Sequence, residues 1–394
     1  MEYEIIHLPK DKWKGTIIPI SYTTSRYYDV IMTENKEGYH VDLIRRDFKN
    51  PVTHSIEEYD FPDKLYADHY EHAYAWGIIQ EGKLVAAMET DPEIWSNRLR
   101  ITEIWVSEPY RRQGIGHALI ETAKEQARRE RRRAVILETQ SCNIAALDFY
   151  RHEGFTLIGF DSCCYTNKDI ERKEVRLEMG WFPEERIKFK KEDLEIREET
   201  EEDYHAVELM TQHAFWNKHH LGCNEHYLVH KMRQHEDFLP ELSRVAVKDG
   251  RIIGYIMYSR ARIIDKENSA HEVITFGPLC VDPKWQGCGV GELLFQETRK
   301  LAEESGHKGI IIFGEPDYYP RLGFKPCNHF GITTSDGKNF DPFMGFELFE
   351  GSLQGITGKF YESEVFDDLP EEEVEKYSQN FPPLKKQRYP GQWD

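Results

Sequence analysis

Two glycine-rich turns have the residue types and spacing that suit phosphate chemistry. One is the segment RRQGIG at residues 111–116, and the other is QGCGVG at residues 286–291. Each lies between a strand-like apolar run and a run with helical periodicity. Glycines at alternate positions in such a place allow backbone N–H groups to converge on an anion at a helix N-terminus, where the helix dipole favours negative charge. The sequence therefore predicts a phosphate-bearing ligand at each turn.

Two familiar phosphate motifs do not fit these turns. A P-loop needs Gly-Lys-Ser/Thr at its end, but Gly116 is followed by His117 and Gly291 by Glu292. A dinucleotide fingerprint needs a third glycine at a fixed spacing, and the first turn has Leu119 there. What remains is an Arg/Gln-x-x-Gly-x-Gly turn that opens a helix.

The elements that position the turns are repeated in the same order. Strand-like residues 101–106 and 277–281 precede the turns, and residues 134–138 and 309–313 resume as strands after the helices. Together with earlier hairpin-like pairs, this order predicts a mixed α/β sheet in two tandem copies. The register is also kept, because four positions recur 175 residues later (286 minus 111): Val106 as Val281, Arg111 as Gln286, Gly114 as Gly289 and Gly116 as Gly291.

The length of the chain agrees with two domains, since its 394 residues exceed the roughly 250–300 at which a single core stops growing. Residues 194–197 are predicted as the first strand of the second domain and residues 201–215 as its first helix. The tail is expected either to cover the second domain or to be mobile. We therefore expect a first domain at 1–187, a second at 188–346 and a tail at 347–394.

The motifs resemble those of the GNAT superfamily of N-acetyltransferases. Besides the turns, the segment NIAALDFYRHEGF at 143–155 is similar to the family's Asn-x-x-Ala-x-x-x-Tyr-x-x-x-Gly-Phe segment. The second half has YYPRLGF at 318–324, which aligns Tyr319 with Tyr150 but lacks the asparagine. The strand EIWV at 103–106 and the turn after it make the first half most similar to streptothricin-type acetyltransferases.

The resemblance implies acetyl-CoA as the cosubstrate, with its pyrophosphate at the glycine turns. It implies that Glu103 draws a proton from the amine, that the Val106 N–H polarises the thioester carbonyl, and that Tyr150 or Tyr319 protonates the thiolate. Asn143 would orient the pantetheine arm. The predicted cofactor-binding residues are Ile104, Trp105, Val106, Arg111, Arg112, Gln113, Gly114, Ile115, Gly116 and Asn143, and in the second half Cys280, Val281, Gln286, Gly287, Gly289, Val290 and Gly291.

Each of these roles has a structural alternative. Glu103 could be an outward-facing strand residue, and Tyr150 could be an aromatic ring packed beneath Gly154 and the phenylalanine after it. In the second half, the position that matches Glu103 is Pro278, which can neither accept a proton nor donate a backbone hydrogen bond. Either His271 or Glu272 would substitute, or the amine would arrive deprotonated, or the second domain would bind CoA without turnover or bind nothing.

Composition restricts the partners and the setting. A net charge of −19 disfavours nucleic acid and favours a cationic small molecule. The basic run at 128–133 is interpreted as a solvated last helical turn. The N-terminal residues carry acidic groups rather than a basic signal segment, and no run approaches the roughly 20 apolar residues of a membrane span. The seven cysteines form no CxxC pair, which favours a reduced cytoplasmic setting. We also expect no membrane partner, and a monomer or a homodimer.

Two classes of function stay open. The first is an N-acetyltransferase acting on a primary amine of a small cationic acceptor, such as a streptothricin-like antibiotic. The second is a CoA-binding regulatory or scaffold protein with one degenerate domain, and a protein or peptide acetyltransferase is a narrower option. No metal is expected, because the histidines and cysteine at 213–226 lack regular ligand spacing.

Overall fold

The computed structural model describes residues 3–55, 58, 62–184 and 189–392, which form two compact units. Unit 1 contains the described residues up to Glu184 together with Arg388–Pro390. Unit 2 contains the described residues from 189 to Gln387 and those at 391–392. Among the described residues, no helix combines the length and apolar character that crossing a bilayer requires.

Unit 1 is a mixed α/β domain. Its strands and helices in chain order are β1 (Ile6–His7), α1 (Lys10–Trp13), β2 (Tyr22–Asn35), β3 (Gly38–His54), β4 (Tyr74–Gln80), β5 (Lys83–Glu93), β6 (Arg98–Val106), α2 (Ile115–Arg129), β7 (Ala134–Gln140), α3 (Ile144–His152), β8 (Thr156–Asp161), α4 (Asp169–Arg172) and β9 (Arg176–Trp181). Seven strands form one sheet in the order β1-β4-β5-β6-β7-β9-β8, and β2 and β3 form a separate hairpin. Helix α2 packs on the sheet through Leu119, Ile120, Ala123 and Ala127, which are fully buried at helical spacing, as predicted.

Two irregularities of the sheet shape unit 1. Parallel strands β6 and β7 pair only through residues 98–100 and 134–136, so a gap opens between them beyond that point. In the adjoining ladder Glu89 lies opposite Glu103, whereas Thr90 lies opposite Ile101. Thr102 is therefore the extra residue of a β-bulge in β6.

Unit 2 repeats this plan with additions. Its strands and helices are β10 (Glu195–Glu198), α5 (Tyr204–Phe215), α6 (Glu225–Met232), β11 (Arg244–Lys248), β12 (Arg251–Ile264), β13 (Ala270–Val281), α7 (Val290–Glu304), β14 (Gly309–Phe313), β15 (Lys325–Pro326), β16 (Ile332–Thr333), β17 (Phe343–Glu347), β18 (Gly358–Tyr361) and α8 (Glu371–Ser378). The main order is β10-β11-β12-β13-β14-β17-β15, and β18 pairs with β12 and β16. Parallel strands β13 and β14 pair at a single position, Ile274 with Ile310, and then separate. The predicted mixed α/β fold in tandem is confirmed.

Residues after 347 pack on unit 2 through β18 and α8. Tyr377 of α8 donates a hydrogen bond to Glu208 at 2.7 Å. Glu208 and Glu199 each contact the Arg233 guanidinium at 2.5 Å, and these three side chains are only 3–6% exposed. The tail as far as α8 therefore packs on unit 2, and α8 is attached to a buried ionic network.

The last described residues also contribute to unit 1. Tyr389 is a buried member of the unit 1 core, and the Arg129 guanidinium lies 4.4 Å from its ring centre. The indole N–H of Trp76 donates to the Arg388 carbonyl at 2.9 Å. Unit 1 therefore includes a short segment that lies about 200 residues away, along the chain, from the rest of the unit.

The structure corrects two expectations about local elements. The basic run at 128–133 is not one solvated helical turn, because α2 ends at Arg129 and Arg131 has a positive φ of 55°. Arg132 instead pairs with Glu130, and Arg133 donates to the Ser96 carbonyl at 2.7 Å. The helix predicted at 201–215 begins with a short 3-10 turn, and the α-helix itself starts at Tyr204.

Candidate active site

The glycine turn of unit 1 lies directly before α2. Gly114 caps the helix with a φ of 82°, and Arg112 takes a positive φ of 61°. The Arg111 guanidinium donates to the Val106 carbonyl at 2.9 Å, which fixes the turn against the end of β6. A Cβ at Gly116 would lie 3.1 Å from the Phe149 ring. The first N–H groups of α2 have no acceptor within the helix, so the turn presents donors to an anion.

The turn of unit 2 has the same backbone shape. Gly287 and Gly289 have φ values of 74° and 94°, at the positions that match Arg112 and Gly114. The Gln286 amide donates to the Val281 carbonyl at 3.1 Å, which is the counterpart of the Arg111 contact. Both turns can therefore hold the same kind of ligand, and their assignment to a cofactor stays a prediction.

The end of β6 has a backbone donor that faces the gap in the sheet. Ser107 N donates to the Val85 carbonyl at 2.9 Å, so the next opposed pair, Ala86 with Val106, is not hydrogen-bonded. The Val106 N–H points away from β5, toward the side from which β7 has separated. In unit 2 the Asp282 N–H bonds the Ile253 carbonyl at 2.9 Å, which places the Val281 N–H in the same way.

The β-bulge decides where Glu103 points. Ile101 is buried with the α2 side chains, and by simple alternation Glu103 would face the same side. The extra residue Thr102 reverses the alternation, so Ile104 and Val106 return to the α2 side and Glu103 lies on the opposite face. Trp105 also lies on that opposite face, with Leu65 and Ala87.

Glu103 lies among other carboxyl groups. Burial is the main cause that raises the pKa of the Glu103 carboxyl to about 9, and the charges of Asp63, Glu89 and Glu138 add to it. Glu89 accepts hydrogen bonds from Tyr66 N at 2.5 Å and from the Thr102 hydroxyl at 2.9 Å. Burial also raises the pKa values of Asp63 and Glu89. This face is therefore a half-buried acidic surface.

The acidic surface has a boundary on β7 and β9. Glu138 contacts the guanidinium groups of Arg176 at 2.5 Å and Arg100 at 3.6 Å. Burial raises the pKa of the neighbouring Tyr70 hydroxyl to about 12. Asp63, Tyr70, Glu89 and Glu138 were missed in the sequence because they lie on separate segments with no common spacing. No sequence signal points to Glu89, because the bulge that turns Glu103 toward it is visible only in the strand register of the structure.

Of the predicted tyrosines, Tyr150 is buried and Tyr319 is partly buried. Tyr150 lies 5.5 Å from the Phe149 ring and 6.1 Å from the Phe155 ring, and burial followed by the Glu103 charge raises its pKa. Its carbonyl accepts from Phe155 N at 2.9 Å. Unit 2 has the same arrangement, in which Tyr319 lies 5.0 Å from the Tyr318 ring and 5.5 Å from the Phe324 ring. Tyr150 thus packs against aromatic neighbours, which does not conflict with a catalytic role for its hydroxyl.

Asn143 lies at the start of α3, and unit 2 has a different residue from unit 1 at the bulge. The Asn143 side chain accepts from Ala146 N at 3.3 Å, so it caps α3. In unit 2, Pro278 is buried at the corresponding bulge, where the Phe366 ring would lie 3.2 Å from a Cβ at Gly277. Cys280, on the same face, is 4% exposed beside the Thr211 hydroxyl. Burial, with a smaller contribution from the nearby Glu225 charge, raises the pKa of the Cys280 thiol. Unit 2 therefore lacks a carboxylate at the position of Glu103 but has an acidic side chain close to this face.

The two predicted substitutes for the missing glutamate are not at the bulge. His271 and Glu272 pair with Ile263 and Arg262 near the start of β13. The His271 ring contacts Asp265 at 2.8 Å, and Glu272 is exposed at 3.9 Å from His307. The expectation that either residue replaces Glu103 is therefore wrong for the arrangement described.

The histidines at 213–226 are dispersed by the fold. His226 is buried, with Cys223 Sγ at 3.4 Å from one ring nitrogen and the Ser378 hydroxyl at 2.8 Å from the other. In the described residues, the one group with metal-ligand geometry is His117, Glu121 and Glu153. The Lys124 ammonium lies 2.7 Å from Glu121 and donates to the Glu153 carbonyl at 2.8 Å, so this group already has one positive charge beside it.

Comparisons with known proteins agree with the two-unit arrangement. A family model described as "Acetyltransferase (GNAT) family" matches residues 40–155, and one described as "Acetyltransferase (GNAT) domain" matches residues 235–326. The N-acetyltransferase YhbS of Escherichia coli K12 is 30% identical over 132 residues, which cover 33% of this chain and 76% of that protein. A streptothricin acetyltransferase of Escherichia coli is 32% identical over 115 residues, covering 29% and 66% respectively. The crystal structure of Escherichia coli YhbS in complex with CoA has a TM-score of 0.40 and 24% identity, and the match covers 45% of this chain and 94% of that one.

Proposed function

Because the chain belongs to the acetyltransferase (GNAT) family, with two such domains in tandem, we propose that unit 1 transfers an acetyl group from acetyl-CoA to a primary amine of a small cationic acceptor. The predicted family and its tandem arrangement are confirmed by the two matched segments. Similarity to a streptothricin acetyltransferase supports an antibiotic-like acceptor. We further propose a cytoplasmic protein that acts as a monomer or homodimer.

The chain's own groups can carry out each part of this reaction. The donors of the 111–116 turn hold the pyrophosphate, and the gap beside β6 admits the extended pantetheine arm. An acceptor that arrives as an ammonium first loses one proton to solvent. The neutral nitrogen then attacks the thioester carbonyl, and ionised Glu103 takes the proton that this nitrogen loses as the amide forms. The Val106 N–H stabilises the oxygen that becomes negative. Tyr150 gives its proton to the CoA thiolate as the carbon–sulfur bond breaks, and exchange with solvent then returns a proton to Tyr150 and removes the one held by Glu103.

The acidic surface around Glu103 is the observation that carries the proposal. Burial, followed by the charges of three neighbouring carboxyl groups, raises the pKa of Glu103, so its ionised form is most stable when a positive charge is bound next to it. A charge of this kind is supplied by the ammonium groups of the acceptor. An uncharged or anionic acceptor would bring no counter-ion to the Glu103 carboxylate in this half-buried place.

The test is release of free thiol from acetyl-CoA with a panel of amines, from monoamines to diamines and streptothricin. We expect turnover to be fastest with acceptors that carry two or more ammonium groups. Glu103→Gln and Tyr150→Phe should each slow turnover by about 100-fold or more. Glu37→Gln, at an exposed hairpin turn, is the matched control and should keep the wild-type rate. Wild-type silence with every amine, or full rates in both site variants, would contradict the proposal.

A second candidate role concerns unit 2. Its turn matches that of unit 1, but Pro278 supplies no base at the position that matches Glu103. This favours a unit that binds CoA for a structural or regulatory purpose. Gly116→Trp and Gly291→Trp form a matched pair for calorimetry and kinetics, because each fills one turn. We expect each to remove one CoA site and only Gly116→Trp to abolish turnover; loss of turnover in Gly291→Trp, with CoA binding at unit 1 intact, would make unit 2 the catalyst.

An acetyltransferase of proteins or peptides is the remaining alternative. The half-buried acidic surface favours small ammonium acceptors over a folded surface, although a lysine side chain carries the same charge. Mass spectrometry of a cell lysate incubated with isotopically labelled acetyl-CoA separates the two. Label on small amines supports our proposal, and label confined to lysines or N-termini of proteins would replace it.

A further inference from the structure

Two adjacent cysteines lie in the loop that follows β8. Cys163 and Cys164 are both exposed and both free thiols. The loop is held in place by two aspartates, since Asp161 accepts from Cys163 N at 2.9 Å and Asp169 accepts from Tyr165 N at 2.9 Å. Asp169 is itself fully buried. The pair of thiols is therefore presented to solvent on a backbone with a defined shape.

The two sulfur atoms have different neighbours. The Cys163 thiol donates to the Asp161 carboxylate at 3.5 Å, and this contact is the main cause that raises the pKa of Cys163. The Arg176 guanidinium donates to Cys164 Sγ at 3.3 Å. Another nitrogen of Arg176 contacts Glu138 at 2.5 Å, at the boundary of the acidic surface. The dithiol thus lies at the outer end of a chain of contacts that leads to the proposed acceptor surface.

We propose that Cys163 and Cys164 form a vicinal dithiol site that binds trivalent arsenicals and related thiophilic metalloids by bridging both sulfur atoms. With phenylarsine oxide as the ligand, two arsenic–sulfur bonds form and the arsenic–oxygen bond breaks. The oxygen leaves as water with the two thiol protons, and arsenic stays trivalent, so no oxidant or reductant is needed. The site is independent of acetyl transfer.

The side chain beside Cys163 determines which arsenic–sulfur bond forms first. Asp161 holds the proton on Cys163, so Cys164 forms the first bond and Cys163 closes the ring. The second bond is intramolecular, and its high effective concentration provides most of the affinity. A site with a single thiol should therefore bind about 100-fold more weakly.

The experiment uses the full-length reduced protein with stoichiometric phenylarsine oxide and intact-mass spectrometry. We expect one adduct, which 2,3-dimercaptopropanol removes and a monothiol at the same concentration does not. Cys163→Ser and Cys164→Ser should each lose the adduct, while Cys288→Ser, the matched change at a partly exposed cysteine of unit 2, should keep it. Peptide mapping with iodoacetamide should show both cysteines protected in the adduct.

The proposal fails if either loop variant keeps a monothiol-resistant adduct, or if wild-type protein forms none. Both loop variants change exposed side chains only, so they should fold, and circular dichroism verifies this. A chemically similar adduct retained after both loop cysteines are replaced would place the dithiol elsewhere in the chain and would also overturn the assignment.

Discussion

Glu103 should control the pH dependence of acetyl transfer. Its pKa is raised to about 9, mainly by burial, so at pH 7 roughly one carboxyl in a hundred is ionised in the unliganded protein. Ionising it at pH 7 then costs about 2.7 kcal/mol, from two pH units at 1.36 kcal/mol each. Activity should rise with pH and not fall, because Glu103 acts as a general base only when its carboxyl is ionised. Activity should therefore increase as the pH approaches 9.

The assay is kcat/KM of the wild-type protein between pH 6 and 10, with a hydrazide acceptor whose reacting nitrogen is unprotonated throughout. We expect a rise of about 100-fold from pH 7 to a plateau above pH 9. Glu103→Gln should lose this rise and be slower by about 100- to 10,000-fold at the plateau. Glu37→Gln should follow the wild-type curve.

A cationic acceptor should change the pH dependence of kcat, which reports on the enzyme with its acceptor bound. An ammonium 4 Å from the carboxylate stabilises it by about 4 kcal/mol at an effective dielectric constant of 20, which exceeds the cost at pH 7. With a diamine acceptor the rise in kcat should therefore shift to below pH 7. The reasoning is refuted if the wild-type profile is flat with the hydrazide, or if the rise survives in Glu103→Gln.

Four further outcomes follow from other contacts. Gly114→Ala, at a φ of 82°, should weaken CoA binding to unit 1, and Gly289→Ala should do so in unit 2, as measured by calorimetry. Tyr389→Ala should destabilise unit 1 by about 3–5 kcal/mol in urea unfolding. Arg233→Ala should cost unit 2 about 3–5 kcal/mol, because two buried carboxylates lose their cation. Glu103→Gln should raise Tm at pH 8. At that pH the Glu103 carboxyl is ionised in the unfolded chain but mostly protonated in the folded protein, because folding raises its pKa, and this difference favours unfolding of the wild type.

The repeated architecture was accessible from the sequence because it depends on local patterns. Glycine spacing, strand-like runs and the stripe of α2 all act within about 20 residues. The acidic surface was not accessible, because Asp63, Glu89 and Glu138 converge from three segments, and only the bulge at Thr102 turns Glu103 toward them. Simple alternation along β6 would have placed Glu103 in the core.

Other features lacked a local signal for different reasons. The long hairpin of β2 and β3 has few buried side chains, so its strands show no clear apolar alternation. Pro278 already showed in the sequence that unit 2 lacks a base at the position of Glu103. The side chains that cover the bulge at Pro278 could not be identified, because they come from α5 and from residues after 361. The site residues assigned from the family resemblance stay predictions until the variants above are measured.

The position of Tyr389 in the sequence delays completion of the unit 1 core during translation. Domains usually fold from the N-terminus as they leave the ribosome, but the core of unit 1 receives this ring only after residue 389 has been added. Translation from Glu184 to that point takes about 10–40 s at 5–20 residues per second. During that interval unit 1 lacks a core side chain and the backbone acceptor of the Trp76 indole. Unit 1 is therefore synthesised first, but its core is completed only after nearly all of unit 2 has been made.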